Sequence, residues 1–212
     1  MAVASAATPD PLVAESGQAS VLASALKPST ALAVWRRELS SSMTRAADAA
    51  CATPFGYAGA FDAFDEPAIN RFGEDLRTEA GTPIDPIADD LVALASLFAD
   101  ICDASPVRVR LETVADSGCR RFHFDNVAMR LVVTYRGAGT QWVSPAFAAA
   151  ARAQQTGYDG PINEIRTGDV ALFRGRRSNI AGMTLHRSPP LAKNAPARLI
   201  GVVDCVDHRR GS

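Results

Sequence analysis

At 212 residues the chain is long enough for one domain with a sizeable core, and its hydrophobic fraction of 47% beside a charged fraction of 21% is ordinary for a soluble globular protein. A formal net charge of −1 excludes a generally basic nucleic-acid binder and a polybasic membrane anchor as function classes. No apolar run reaches membrane length, and Asp10 and Glu15 interrupt any secretory pattern, so the expected location is the cytoplasm, with no membrane partner.

Residues 1–30, rich in Ala, Ser and Pro without a sustained period, read as a disordered leader, and 31–212 as a single domain. Within it, 31–105 reads as a helical part. A helix is expected from Leu32 to about Ala52, with Trp35 and Leu39 on one face, then a loop over 53–65. A second helix is expected from near Pro67 to before Gly81. The clearest helix runs from Asp85 to Cys102. Asp85 suits the N-cap and Pro86 the first turn, and Ile87, Leu91, Leu94, Phe98 and Ile101 form one apolar stripe.

After Pro106 the period changes from helical to two. Val107, Val109 and Leu111 alternate with Arg108, Arg110 and Glu112, as a half-buried strand requires. Further strands are expected at Phe122–Asp125, Met129–Tyr135, Gln141–Val143, Val170–Phe173, Met183–His186 and Arg198–Val203. One helix lies among them, with Ser144 as its cap, Pro145 in its first turn and Gly157 as its stop. Helices followed by short strands give an α+β class, with 106–206 forming a β-barrel part under the N-terminal helices.

Only three histidines are present. His123 and Asp125 are two apart, so on a strand both face the same side, and His186 comes late in the strand array. Two histidines and a carboxylate form the facial triad of non-haem iron sites, and zinc accepts the same set. His-x-Asp alone is a common pair, and each histidine could equally be a satisfied strand residue. The four cysteines, Cys51, Cys102, Cys119 and Cys205, show no CxxC spacing and read as free thiols. Cys119, four residues before His123, is either an alternative zinc ligand or a small residue at a turn. Arg198 shares a strand face with Ile200 and Val202. If that face is interior, its guanidinium needs an anionic partner; otherwise it sits at the strand entrance, exposed or paired with Asp204. The run Arg174-Gly175-Arg176-Arg177 reads as solvated loop charge, with contact to phosphate or an acidic substrate as the alternative.

The order His123-Phe124-Asp125, His186, Arg198, with Arg130–Tyr135 and Gly168–Phe173 between, resembles the double-stranded β-helix of Fe(II)/2-oxoglutarate-dependent dioxygenases. That resemblance implies a cupin-like jelly roll, with Fe(II) on His123, Asp125 and His186 and 2-oxoglutarate bound by Arg198 and Tyr135. No catalytic group separate from the metal ligands is implied, and the substrate is unknown. Many members of that family carry a Ser two residues after the Arg, where this chain has Ile200. A wider set of residues is similar to the bacterial domain-of-unknown-function family 1826. It comprises Trp35-Arg36-Arg37, Cys119-x3-His123-x-Asp125, Arg130-Leu131, Thr134-Tyr135-Arg136-Gly137, Gly139-Thr140, Trp142, Ala171–Gly175 and His186–Pro190. That likeness implies a link to bacterial zinc homeostasis, and hence the alternative of a non-catalytic zinc-binding protein.

Overall fold

The structure, a computed structural model, describes residues 12–115, 119–192 and 195–206. The first strand, β1 (Val13–Ser16), is followed by a short 3-10 helix (Ala19–Leu26), β2 (Leu32–Trp35), α1 (Ser41–Ala50) and β3 (Gly56–Phe61). Two longer helices come next, α2 (Glu66–Ala80) and α3 (Asp85–Cys102). The remaining elements are β4 (Val107–Val114), β5 (Met129–Arg136), β6 (Gln141–Val143), α4 (Pro145–Gln154), β7 (Asn163–Glu164), β8 (Val170–Arg174), β9 (Leu185–Arg187) and β10 (Arg198–Cys205).

A seven-stranded sheet has the order β1-β2-β8-β5-β10-β4-β3, antiparallel at every pairing except β1 with β2. A small antiparallel sheet has the order β7-β6-β9. The α+β class therefore holds. One face of the large sheet packs on the helices: Ile87, Leu91, Leu94 and Phe98 of α3 meet Val109, Leu111, Leu131, Val133, Leu199 and Val203. Each such side chain taken fully from water contributes about 1.5–3 kcal/mol, so this layer dominates the apolar stabilisation. The opposite face, with Val132, Ala171, Phe173, Ile200 and Val202, packs on Trp142 and Ile165 from around the small sheet. Gly201, at the middle of β10, lets α3 come close; a Cβ there would lie 2.9 Å from both Leu91 and Val133 side-chain atoms.

Several expectations are corrected. The leader is not disordered over its length: residues 12–30 are built into the fold, with Leu22 and Ala25 fully buried, while 1–11 lie outside the described residues. Arg174 closes this segment, donating to the carbonyls of Ala25 and Lys27 (2.7 and 2.6 Å) and of Thr30 and Ala181. The side chain expected in solvated loop charge is thus a buried structural tie. In place of one helix from Leu32 to Ala52 there is a strand and then a helix. Leu32–Trp35 is buried between β1 and β8, which suits a continuous apolar run, and the Ser40 hydroxyl accepts from Met43 N to begin α1. The expected loop over 53–65 contains the edge strand β3, recruited by β4. Residues 31–105 therefore supply two strands, β2 and the edge strand β3, as well as helices. The expected strand at Phe122–Asp125 reduces to one bridge, between His123 and His186. Asp85 lies inside its helix, with Ile84 at the cap position.

Candidate metal centre

Local backbone pairing brings the candidate ligands together. His123 N donates to His186 O (2.9 Å) and His186 N to His123 O (3.1 Å), so the two residues sit opposite each other across the strand gap. Asp125 follows two residues on, its carbonyl held by Arg176 N at 2.8 Å. The ligand atoms of His123, Asp125 and His186 all lie within 4.8 Å of one another.

Backbone carbonyls set both imidazoles. His123 Nδ1 lies 2.9 Å from Arg121 O, and His186 Nδ1 lies 3.0 Å from Thr184 O. A carbonyl can only accept, so Nδ1 carries the proton in each ring and Nε2 presents a lone pair. Those two Nε2 atoms face Asp125, at 3.6 Å from Oδ1 for His123 and 3.2 Å from Oδ2 for His186. Asp125 is 4% exposed, and among the described residues its Oδ2 has no hydrogen-bond partner despite that short distance to His186. Lone pairs directed at one another in a buried site repel unless a cation or proton lies between them. Three such donors with satisfied outer contacts fit a divalent ion bound on one face, with further coordination positions left for small ligands.

Charge around the site is arranged to keep the carboxylate ionised. Burial by itself raises the Asp125 pKa, but the adjacent His123 and His186 rings and the Arg130 charge reverse this and hold it well below the usual range. The His123 pKa is raised, first by Asp125, against a burial effect of opposite sign. Arg130 Nη1 donates to Asp125 Oδ1 at 2.6 Å, while its Nε and Nη2 grip Asp204 at 2.7 and 2.8 Å. Arg130 and Asp204 were not expected as site residues. The signal was alternation: Arg130 lies on the same face of β5 as Val132, pointing between the sheets. A cavity of about 260 Å³ opens on the triad, lined also by Arg130, Val132, Thr140 and Ile200.

Arg198 is fully buried. Its partner in register on β4, Val114, lines the cavity, which puts the guanidinium on the cavity face of the sheet. Its Nε donates to Ala138 O at 2.6 Å, whereas Nη1 and Nη2 have no partner among the described residues, Asp204 being engaged by Arg130. Burial pushes its pKa down to about 10, only partly opposed by Glu164. Tyr135 does not join this group. It alternates onto the helix side of β5, where its hydroxyl donates to Asp90 Oδ2 at 2.8 Å. Cys119 is exposed, and its Sγ lies 3.6 Å from His123 Nδ1, the nitrogen turned away from Asp125. It therefore does not complete a four-ligand zinc site with the triad.

Solved structures share this architecture. A full-length Neurospora crassa protein in complex with alpha-KG matches with a TM-score of 0.53 and 11% identity, over 96% of this chain and 88% of that one. A protein assigned to the 2OG-Fe(II) oxygenase family, from Caulobacter crescentus, matches with a TM-score of 0.52 and 13% identity, over 91% and 85%. The fold is similar to that of 2OG-Fe(II) oxygenases. The chain belongs to the family described as protein of unknown function (DUF1826), whose profile matches residues 16–204. No curated protein matches it. Among the described residues, no helix is long and apolar enough to cross a membrane.

Proposed function

We propose that the protein is an Fe(II)/2-oxoglutarate-dependent oxygenase acting on an unknown substrate. In this reading the two sheets are a double-stranded β-helix, with the N-terminal helices backing its larger sheet. The observation that carries the proposal is a pair of complementary deficits on one face of that sheet. A buried carboxylate oxygen and two Nε2 lone pairs lack a cation, and a buried guanidinium lacks an anion. A divalent metal with a bound dicarboxylate would satisfy both.

His123, Asp125 and His186 hold the metal, and Arg130 holds Asp125 in the orientation that leaves Oδ2 free for it. Arg198 takes the far carboxylate of 2-oxoglutarate through its two free N–H groups. Val132, Ile200 and Val202 give the cavity an apolar wall that excludes water from the reacting centre. Fe(II) with 2-oxoglutarate, when bound, supplies the chemistry by which O2 oxidises a substrate while the oxo acid becomes succinate and carbon dioxide. A cytoplasmic setting belongs to the same reading.

The test is anaerobic addition of Fe(II) and 2-oxoglutarate to metal-free protein. A weak visible charge-transfer band is expected in the wild type and is lost in His186→Ala. Tight zinc binding without that band would overturn the oxygenase reading in favour of a zinc-handling protein. Absence of any stoichiometric metal would overturn both.

A further inference from the structure

Trp142 is the other buried donor on this face without a partner. It is 5% exposed, and its Nε1 has no hydrogen-bond acceptor among the described residues. The second tryptophan, Trp35, donates its Nε1 to Gly17 O at 3.2 Å, so the deficit is particular to Trp142. Trp142 sits on β6 directly opposite His186 on β9, and cross-strand partners share a face. That face points between the sheets, where Trp142 packs in one cluster with Ile200, Phe173 and Val132. Arg198, two residues before Ile200, is fixed through Nε to Ala138, four residues before Trp142.

Buried N–H groups are rarely left unmade, because each costs about as much as a lost hydrogen bond. Here Trp142 Nε1, Arg198 Nη1 and Arg198 Nη2 are buried without partners among the described residues; Trp142 packs in the cluster between the sheets, and Arg198 shares a face of β10 with Ile200 of that cluster. All are donors, and the indole cannot ionise or accept. A ligand that satisfies them must bring several acceptor lone pairs and no competing donor, which describes one carboxylate group.

We propose that Trp142 is a specificity-determining residue for the oxo-acid co-substrate. Its indole N–H donates to the same carboxylate that Arg198 takes. This rests on the reading of the site as a 2-oxoglutarate site, and it extends that reading to a residue on the opposite sheet. An arginine from the large sheet and an indole from the small one then span the gap through the ligand, so a bound dicarboxylate also ties the sheets together.

The test uses full-length protein loaded with Zn(II) in place of iron, which allows binding without turnover. Trp142→Phe keeps most of the ring and removes the N–H. It is expected to weaken 2-oxoglutarate binding about ten-fold or more, as loss of a hydrogen bond to a charged group does. Binding of 2-oxobutyrate, which lacks the far carboxylate, and of Zn(II) itself should not change. In the wild type, one of the two indole N–H signals in an NMR spectrum should shift on adding 2-oxoglutarate. Trp35→Phe assigns the other, and this readout survives if Trp142→Phe fails to fold. A wild type that takes no 2-oxoglutarate overturns the co-substrate reading itself. A wild type that binds it with both indole signals unmoved, or a folded Trp142→Phe that binds it equally well, overturns the role of Trp142 alone.

Discussion

Replacing Arg130 with Met tests whether the ligand carboxylate depends on the charge network behind it. The substitution removes three charge-assisted hydrogen bonds, at 2.6 Å to Asp125 and at 2.7 and 2.8 Å to Asp204. It also strands two carboxylates whose side chains are 3% and 11% exposed. Breaking a buried ion pair from one side costs about 3–5 kcal/mol, mostly because the remaining charge loses its counterion. Arg130 itself is 23% exposed, so screening favours the lower end, about 3 kcal/mol. The assay is urea denaturation of metal-free wild type, Arg130→Met, Asp204→Asn and the double variant. Once Arg130 is gone, neutralising Asp204 removes a stranded charge, so the double variant should be more stable than the two single losses added, by about 1–2 kcal/mol. Metal affinity should fall about 10–100-fold in Arg130→Met, since Asp125 loses the contact that orients it. The reasoning fails if Arg130→Met costs less than about 1 kcal/mol, the value of a solvated surface pair, or if the two substitutions simply add.

A carboxylate far from the triad offers a test of pH dependence. Burial raises the Asp169 pKa, but Arg166 and Arg36 lower it further, so the folded value lies below the usual one. A depressed carboxyl contributes stability above its unfolded pKa, about 3.9, and loses it as pH falls through the lower folded value. Asp169→Asn should cost about 2 kcal/mol at neutral pH. In urea titrations the gap from wild type should narrow below pH 4; a constant gap would contradict this assignment. Tyr135→Phe should leave 2-oxoglutarate binding unchanged while costing about 1 kcal/mol of stability through the lost bond to Asp90. Weakened co-substrate binding measured by calorimetry in that variant would mean that Tyr135 reaches the cavity after all.

Much of the site is legible in the sequence because its spacing is local. His123 and Asp125 are two apart, and although only one bridge forms there in place of the expected strand, their ligand atoms converge with that of His186 within 4.8 Å. The stripe on α3 and the alternation in β4 are readable for the same reason. Residues 12–35 escape such a reading because their composition carries no period, and their order comes from burial of Leu22 and from carbonyl contacts with Arg174. The expected role of Tyr135 fails because a motif gives a position along a strand but not which face of the sheet meets the cavity.

The chain by itself determined which residue types stand ready for chemistry: two imidazoles, a carboxylate at strand spacing, and an arginine late in the last strand. Tertiary structure decided which of these converge. It turned both Nε2 atoms onto Asp125 by giving each Nδ1 a backbone carbonyl, sent Tyr135 to the helices, and left Arg198 Nη1 and Nη2 and Trp142 Nε1 without partners among the described residues. The reason is physical. Periodicity along a strand is a local property of the backbone, whereas a lone pair finds or lacks a partner only through what distant segments bring to it.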